Sequence, residues 1–192
     1  MDDEIWTGDA PTSHRGVQIL GTPLGHADFV ASHADRRIAE EERFLLKVAR
    51  LPDLQCAWLL LTFCGVPRAN HLLRVLPPTV VAPYAARHDD IIWSCFCRLL
   101  ACERSESDEL ARKVASLPAR MGGLGLRSAV RTSPAAFWAA WVDNAPILVE
   151  KALRVRELFL HELTAAAPTE CIKAFQASEV VLYGDGCLDM PT

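Results

Sequence analysis

The spacing of apolar residues changes from alternation near the N-terminus to helical periodicity further along the chain. Residues 17–20 alternate weakly and run into residues 21–25, Gly-Thr-Pro-Leu-Gly, which predicts a short strand followed by a tight turn. From Ala27 to Ala49, apolar residues recur at helical spacing, with charged residues off that stripe. This change of period predicts a small β element followed by an amphipathic helix.

The segment after Pro52 predicts a helix at the centre of the core. Asp53 is a good N-cap, and the helix that it begins runs to about Gly65. This stretch is apolar on all sides, with Trp58, Leu61 and Phe63 among its large side chains. A helix without a polar face is expected to be buried.

Prolines and N-cap residues delimit the remaining predicted helices, and the stretch 118–128 is predicted to be extended or looped. The predicted starts are Pro67, Pro83, Asp108, Ser133-Pro134, Pro146 and Pro168-Thr169. The expected fold is therefore mainly α, an irregular bundle of seven or eight helices with a minor β element, a strand or a hairpin, near the N-terminus.

The same pattern predicts how the chain is divided. Residues 1–25 form a polar N-terminal segment with the short strand and turn, residues 26–183 a helical domain, and residues 184–192 a C-terminal tail. Half of the 192 residues are hydrophobic (51%), which is enough for a folded core. The longest apolar run is too short to cross a bilayer, so no membrane partner is expected. The acidic N-terminus lacks a secretory pattern, and the seven cysteines are expected to be reduced, which predicts an intracellular protein.

Charge is distributed unevenly although the net charge is -4. Residues 54–88 carry three basic residues and residues 110–142 carry five, and neither window contains Asp or Glu. Arginine suits phosphate because its planar group can donate two parallel hydrogen bonds. The competing interpretation is that these windows are core helices whose few arginines have no acidic neighbours in sequence.

The sequence shows no catalytic, metal or cofactor site. Asp89 and Asp90 follow His88, but successive residues of a helix point about 100° apart, so an exposed first helical turn is expected there rather than metal ligands. Cys-x-x-Cys is absent, and Ser, His and acidic residues form no nucleophile signature. Catalytic residues, metal ligands and cofactors are therefore each expected to be none.

Two features leave a binding role open. The run Gly122-Gly-Leu-Gly125 lies between Arg120 and Arg127, and it is either a loop that approaches phosphate or a plain turn that packs Leu124 and Leu126. Single-strand binders stack bases on aromatic side chains. The tryptophans at helical spacing amid Ala, Leu and Ile are instead expected to be core residues. They are Trp93, Trp138 and Trp141.

Four strings in a fixed order carry a resemblance to a known family. They are Ile5-Trp-Thr-Gly-Asp9, Gly16-Val-Gln-Ile-Leu-Gly-Thr-Pro-Leu-Gly25, Pro67-Arg-Ala-Asn-His-Leu-Leu-Arg74 and Gly122-Gly-Leu-Gly-Leu-Arg-Ser128. Their order and spacing resemble the region C-terminal to the palm catalytic motifs in reverse transcriptases of LINE-type (non-LTR) retrotransposons. The resemblance covers about residues 5–144.

The resemblance implies a place for each segment. Residues 16–25 would be the primer grip, with Gly21 and Thr22 near the primer terminus, and residues 27–101 the helical thumb. Polymerase chemistry needs two Mg²⁺ ions held by palm carboxylates. The chain has no Tyr-x-Asp-Asp, so it is not expected to be an enzyme.

The expected function is therefore a non-catalytic, thumb-like fragment that binds an RNA/DNA template–primer weakly. The palm domain of a parent polyprotein is a second expected partner. Nucleic-acid contacts are expected at Gly21, Thr22, Arg68, Arg74, Arg120 and Arg127. The alternatives are a helical protein–protein interaction domain and a decayed retroelement fragment with no independent function.

Overall fold

The chain folds into helices preceded by one β-hairpin, as a computed structural model shows. The structure describes residues 10–102, 108–151 and 153–184. The strands are β1 (Gly16–Ile19) and β2 (Thr22–Gly25), and the helices are α1 (Ala27–Val48), α2 (Leu54–Leu60), α3 (Asn70–Val75), α4 (Pro78–Leu99), α5 (Asp108–Ser116), α6 (Ala129–Lys151), α7 (Leu153–Thr164) and α8 (Glu170–Gly184). The prediction of a mainly α fold with a minor β element near the N-terminus is confirmed.

The β element is an antiparallel hairpin with a two-residue loop. Gly16 pairs with Gly25 and Ile19 with Thr22. The loop residues Leu20 and Gly21 have φ angles of 50° and 82°. Positive φ at both positions is the geometry of the tight type I′ turn, whose twist matches that of the flanking strands. Residues 22–25, predicted to be a turn, are therefore the second strand.

Contacts between residues divide the chain into two compact units. Unit 1 comprises Met1–Ala69 and Ala86–Ser128, and unit 2 comprises Asn70–Ala85 and Ala129–Thr192. The predicted helical domain 26–183 contributes to both units. The predicted N-terminal segment is described from residue 10 onwards. The predicted tail lies outside the described residues except for Gly184, which ends α8.

Unit 1 has an apolar core where α1, α4 and α5 meet the segment 54–66. Its buried side chains are Leu45, Val48, Ala57, Leu61, Val66, Ile92, Trp93, Cys95, Cys97, Ala115 and Leu126. The rings of Trp58 and Phe96 pack against this core: Phe96 lies 6.1 Å from Trp58 and 5.3 Å from the core residue Trp93, centroid to centroid. Trp93 is thus a core residue, as its helical spacing predicts.

Segment 54–65 is only half buried, which contradicts the prediction of a central helix. The Cys56 N–H donates to the Asp53 carboxylate at 2.6 Å, which confirms the N-cap and lowers the pKa of that carboxyl below its usual value. After α2 the chain continues as a π-turn over Leu61–Gly65. Leu61 is fully buried, but Phe63 is 71% exposed. The prediction that Phe63 belongs to the core is wrong.

Two helices run through prolines that were predicted to break them. Helix α4 begins at Pro78 and continues past Pro83, and α6 continues past Pro134 and Pro146. An internal proline removes one backbone hydrogen bond and crowds the preceding turn. The predicted starts at Pro83, Ser133-Pro134 and Pro146 are therefore wrong, because local propensity gives way to packing of the longer helices.

Unit 2 is built on α6, which packs against α3, α7 and α8. Trp141 of α6 stacks on Phe159 of α7, with ring centroids 5.4 Å apart and planes inclined by 8°. The same tryptophan meets Phe137 at 6.3 Å and Phe175 of α8 at 6.2 Å. Trp141 is thus engaged in packing, as its position amid apolar residues predicts.

Within the part of the chain that the structure describes, every helix is too short or too polar to cross a bilayer.

Candidate nucleic-acid interface

The glycine-rich segment is a turn whose amide groups already donate hydrogen bonds to nearby carbonyl groups. The N–H groups of Gly122, Gly123 and Gly125 donate to the carbonyls of Ala119, Pro118 and Leu117, at 2.8–3.2 Å. These amides therefore cannot cradle a phosphate, and of the two predicted alternatives the plain turn is the one observed.

Each glycine of this turn has a backbone reason to be there. Gly122 and Gly125 have φ angles of 79° and 71°, which side-chain-bearing residues rarely adopt. A Cβ on Gly123 would collide with the carbonyl of Leu117. The turn buries Leu126 as predicted, whereas Leu124 stays exposed.

Arg120 and Arg127 lie at the two ends of this turn, and both side chains are exposed. Neither forms an ion pair with any residue that the structure describes. The main chain that carries them is held by its own hydrogen bonds. These two guanidinium groups are therefore presented to solvent from a fixed backbone, without a described acidic neighbour.

Arg68 is engaged differently. Its guanidinium carbon lies 5.0 Å from the centroid of the Phe44 ring, and the residue is half buried. Its Nε is buried without a hydrogen-bond partner among the described residues. A cation over an aromatic face is attracted by the ring electrons. Arg68 therefore packs onto α1, and its Nε cannot reach a ligand from solvent.

Arg74 has an acidic partner that lies far from it in the sequence. It lies on α3 in unit 2, and its Nη2 donates to the Asp143 carboxylate on α6 at 3.1 Å. The window 54–88 contains no acidic residue, but Asp143 comes 69 positions later and compensates this charge. Arg68, Arg120 and Arg127 belong to unit 1, so the predicted arginines do not all lie in one unit.

The hairpin tip is apolar. Gly21 is the second loop residue, and Thr22 begins β2. Leu20, beside them, is 93% exposed, and Ile19 and Leu24 are exposed as well. At the predicted position of Gly21 and Thr22 the described surface therefore offers apolar side chains and no charge.

The balance of charge differs between the parts of the chain. Described residues of unit 1 include 13 Lys and Arg against 10 Asp and Glu, whereas those of unit 2 include six of each. Residues 1–9, 103–107 and 185–192 contain eight acidic residues and one basic residue. Counted over all of its residues, unit 1 has 14 Lys and Arg against 16 Asp and Glu, so contact with a polyanion depends on individual exposed arginines and not on the net charge of the unit.

The predicted acidic turn at His88, Asp89 and Asp90 lies in the middle of α4, not in its first turn. Asp89 accepts a hydrogen bond from Ser128 Oγ at 2.6 Å, and Asp90 pairs with Arg112 at 2.9 Å. The three side chains serve different neighbours, as the angular separation of successive helical residues requires. No group of three potential metal ligands occurs among the described residues.

Sequence reasoning missed the partner of His88. Its Nδ1 lies 2.7 Å from Oε2 of Glu41, and both side chains are only 1% exposed. The sequence signal for this buried pair is a charged residue at a position of α1 that belongs to its apolar stripe. Glu41 stands three residues after Ile38 and four before Leu45, where helical spacing calls for an apolar residue.

The thiols with shifted pKa values are poor nucleophiles. Burial raises the pKa of Cys95 to about 11, and it also raises the pKa of Cys171. A hydrogen bond to Asp53 raises the pKa of the exposed Cys56 thiol. These three cysteines are protonated at neutral pH, and the thiolate is the reactive form.

No family model, no curated protein and no solved structure matches this chain.

Proposed function

We propose that the chain is a non-catalytic, thumb-like part of a non-LTR retrotransposon reverse transcriptase, and that unit 1 contacts an RNA–DNA duplex. The observation that carries this proposal is the pair of exposed guanidinium groups of Arg120 and Arg127, which no described acidic side chain neutralises. The order of the four sequence strings supports the choice of family.

The chemistry of the contact is phosphate recognition without reading of bases. A guanidinium donates bidentately to phosphate oxygens and displaces condensed counterions from the duplex. The hydrogen-bonded turn between Arg120 and Arg127 keeps their backbone fixed, so little chain entropy is lost on binding.

Filter binding of an RNA–DNA hybrid at several salt concentrations tests this function. Each phosphate contact contributes about one unit to the slope of log K against log salt. We expect Arg120→Ala/Arg127→Ala to lower the slope by about two units and to weaken binding equally for different duplex sequences.

The matched control is Arg74→Ala/Lys173→Ala. It removes the same two positive charges, but both are paired with acidic residues in unit 2, Arg74 with Asp143 and Lys173 with Glu170. Its slope should equal that of the wild type. Absence of binding at low salt would overturn the proposal, and so would equal loss of slope in both variants or retention of slope in both.

A second candidate function is a helical protein-interaction domain. It is favoured by one observation, the exposed apolar side chains of segment 54–65 in unit 1.

A further inference from the structure

We propose that a row of three basic side chains on one side of α1 is a second contact for the phosphate backbone of a nucleic-acid strand. This α1 basic row consists of Arg43, Lys47 and Arg50, all of which are exposed. The inference rests on the proposed duplex binding, and it extends the contact to residues outside the acid-free windows 54–88 and 110–142.

Helical spacing places the three side chains of the row together. Positions 43, 47 and 50 are separated by four and three residues, and such positions are neighbours on a helix surface. Arg50 follows the end of α1, where its N–H donates to the carbonyl of Lys47 at 3.2 Å. The buried residue Leu45 is two positions after Arg43, about 200° further around the axis. The row therefore lies on the side of α1 that faces away from the core of unit 1.

The cations of the row have no acidic partner among the residues that the structure describes. Arg43 Nε donates to the carbonyl of Ala39 at 3.3 Å, which leaves its two Nη groups for solvent. The side chains of Lys47 and Arg50 form no hydrogen bond within the described part of the chain. All three charges are therefore available to an anion from solution.

The acidic residues nearest in sequence are engaged elsewhere. Residues 1–53 carry ten Asp and Glu against six Lys and Arg, so local composition predicts repulsion of phosphate there. Glu40, however, pairs with Arg37 at 3.1 Å, and Glu41 is fully buried. Glu42 lines a cavity against α4, and Asp53 caps α2. Folding thus leaves a basic surface within an acidic stretch of sequence.

The helix itself explains only part of this row. Lys47 lies in the last turn of α1, where the helix dipole favours a cation. Arg43 comes before that turn, and like charges four residues apart repel each other on a helix. An anion that contacts both residues would relieve this repulsion, which favours a ligand with several negative charges over a single small ion.

The length of the row suits consecutive phosphates of one strand. Seven residues of helix rise by about 10 Å. One strand of a duplex carries a phosphate for about every 3.4 Å of its axis, so about three phosphates face that length. Long arginine and lysine side chains can each reach one of them.

The contact is expected to involve phosphate alone. Phe44 is the aromatic residue beside Arg43 in sequence, and the Arg68 guanidinium covers its ring at 5.0 Å. The ring is therefore engaged within unit 1 and does not offer the stacking on bases that single-strand binders use. The ligand chemistry is a phosphodiester backbone, which a single strand and an RNA–DNA hybrid both carry.

Filter binding of two probes over a salt series tests the α1 basic row. The probes are single-stranded polyuridylate and an RNA–DNA hybrid, and the variant is Arg43→Gln/Lys47→Gln/Arg50→Gln, which keeps residues that favour helix. We expect the slope of log K against log salt to fall by about three units on the hybrid and by about two on the single strand, because three phosphate contacts are lost.

The matched control is Arg37→Gln/Arg87→Gln/Lys113→Gln. It removes the same three charges from unit 1, but each of them is paired with an acidic residue. The net charge of the two variants is identical, so long-range repulsion of the probe changes equally in both. The slopes of the control should equal those of the wild type.

Acetylation of lysines in the wild-type protein locates the contact without any substitution. Bound polyuridylate or hybrid should slow the modification of Lys47 severalfold, as measured by mass spectrometry. Lys113 and Lys173 are exposed and paired with acidic residues outside the row, so their rates of modification should not change.

Unchanged slopes of the row variant on both probes would overturn the α1 basic row, and so would an equal loss of slope in the control or a Lys47 that reacts equally fast with and without probe. Loss of slope on one probe alone would support the row and assign it to that form of nucleic acid. If the triple variant proves unfolded by circular dichroism, Lys47→Gln takes its place, with a loss of about one unit.

The variant Arg120→Ala/Arg127→Ala separates this inference from the proposed function. Loss of slope in that variant, with full slope in the row variant, would leave duplex binding in place and overturn the row. Loss of slope in the row variant alone would support the row and contradict the contact at Arg120 and Arg127.

Discussion

Glu41 and His88 place two ionisable side chains inside the apolar interior of unit 1. Each is almost fully buried, and their contact joins α1 to α4. A buried polar pair is strongly coupled, because removing one member takes a hydrogen bond from the other away from water. At the residue scale, loss of this contact should weaken the fit of α4 against α1.

A double-mutant cycle measures this coupling. We expect Glu41→Leu and His88→Leu each to lower the free energy of unfolding by about 3 kcal/mol, and the double variant to lose far less than the sum. Urea unfolding of the four proteins gives the cycle. The exposed pair Glu170–Lys173 is the control and should show coupling close to zero. Additive losses at Glu41 and His88 would show that they are not a coupled pair.

Ala101 holds a backbone conformation that suits glycine. After α4 the N–H of Ala101 donates to the carbonyl of Arg98 and that of Cys102 to Cys97, which is the Schellman pattern. This pattern puts Ala101 at a φ of 49°. Ala101→Gly should therefore raise the free energy of unfolding by about 0.5–1 kcal/mol.

The control for this change is the same substitution inside α4. Ala86→Gly, at an exposed helical position, should lower the free energy of unfolding by up to about 1 kcal/mol. Thermal unfolding of both variants should thus give shifts of opposite sign. A lower midpoint for Ala101→Gly would contradict the strain at this helix end.

At the scale of elements, the sequence of segment 54–65 predicts where its helix begins, but packing determines which side of the helix is buried. Its composition is uniformly apolar, so composition cannot tell which side is buried. The N-cap at Asp53 could be predicted because capping depends on neighbours within one turn. The exposed side of the segment could not be predicted, because it depends on which other helices cover the segment.

Leu61 and Phe63 test this division directly. Leu61→Ala should lower the free energy of unfolding by about 2–5 kcal/mol because it leaves a cavity among core side chains. Phe63→Ala, two residues on, should change it by no more than about 0.5 kcal/mol in the monomer. Denaturant unfolding at low protein concentration is the measurement. Equal losses would mean that both sides of the segment are buried.

At the scale of the whole molecule, the proposed function requires that the chain cannot polymerise by itself. No Tyr-x-Asp-Asp occurs in the 192 residues. In two-metal sites, carboxylates hold the pair of ions that stabilises the attacking and leaving oxygens. We expect no template-dependent incorporation of dNTPs with Mg²⁺ or Mn²⁺, measured on a primed RNA template after stringent purification. Incorporation that follows the protein through successive columns would contradict this expectation.

The sequence by itself determined the local features of this protein. Periodicity placed α1, the cap at Asp53 and the helical character of the chain, because each depends on residues within one or two turns. It also identified the glycines of the turn at 122–125, although only the structure showed that their amides are already bonded.

Tertiary structure decided everything that depends on residues far apart in the chain. The compensation of Arg74 by Asp143, the burial of Glu41 against His88 and the half-burial of Arg68 on Phe44 all join distant segments. The continuation of α4 past Pro83 and of α6 past two prolines is likewise a choice of packing over local propensity. A stretch of sequence without Asp or Glu predicts a basic surface only if no acidic residue from elsewhere in the chain packs against it. Arg120 and Arg127 met that condition among the described residues, and Arg74 did not.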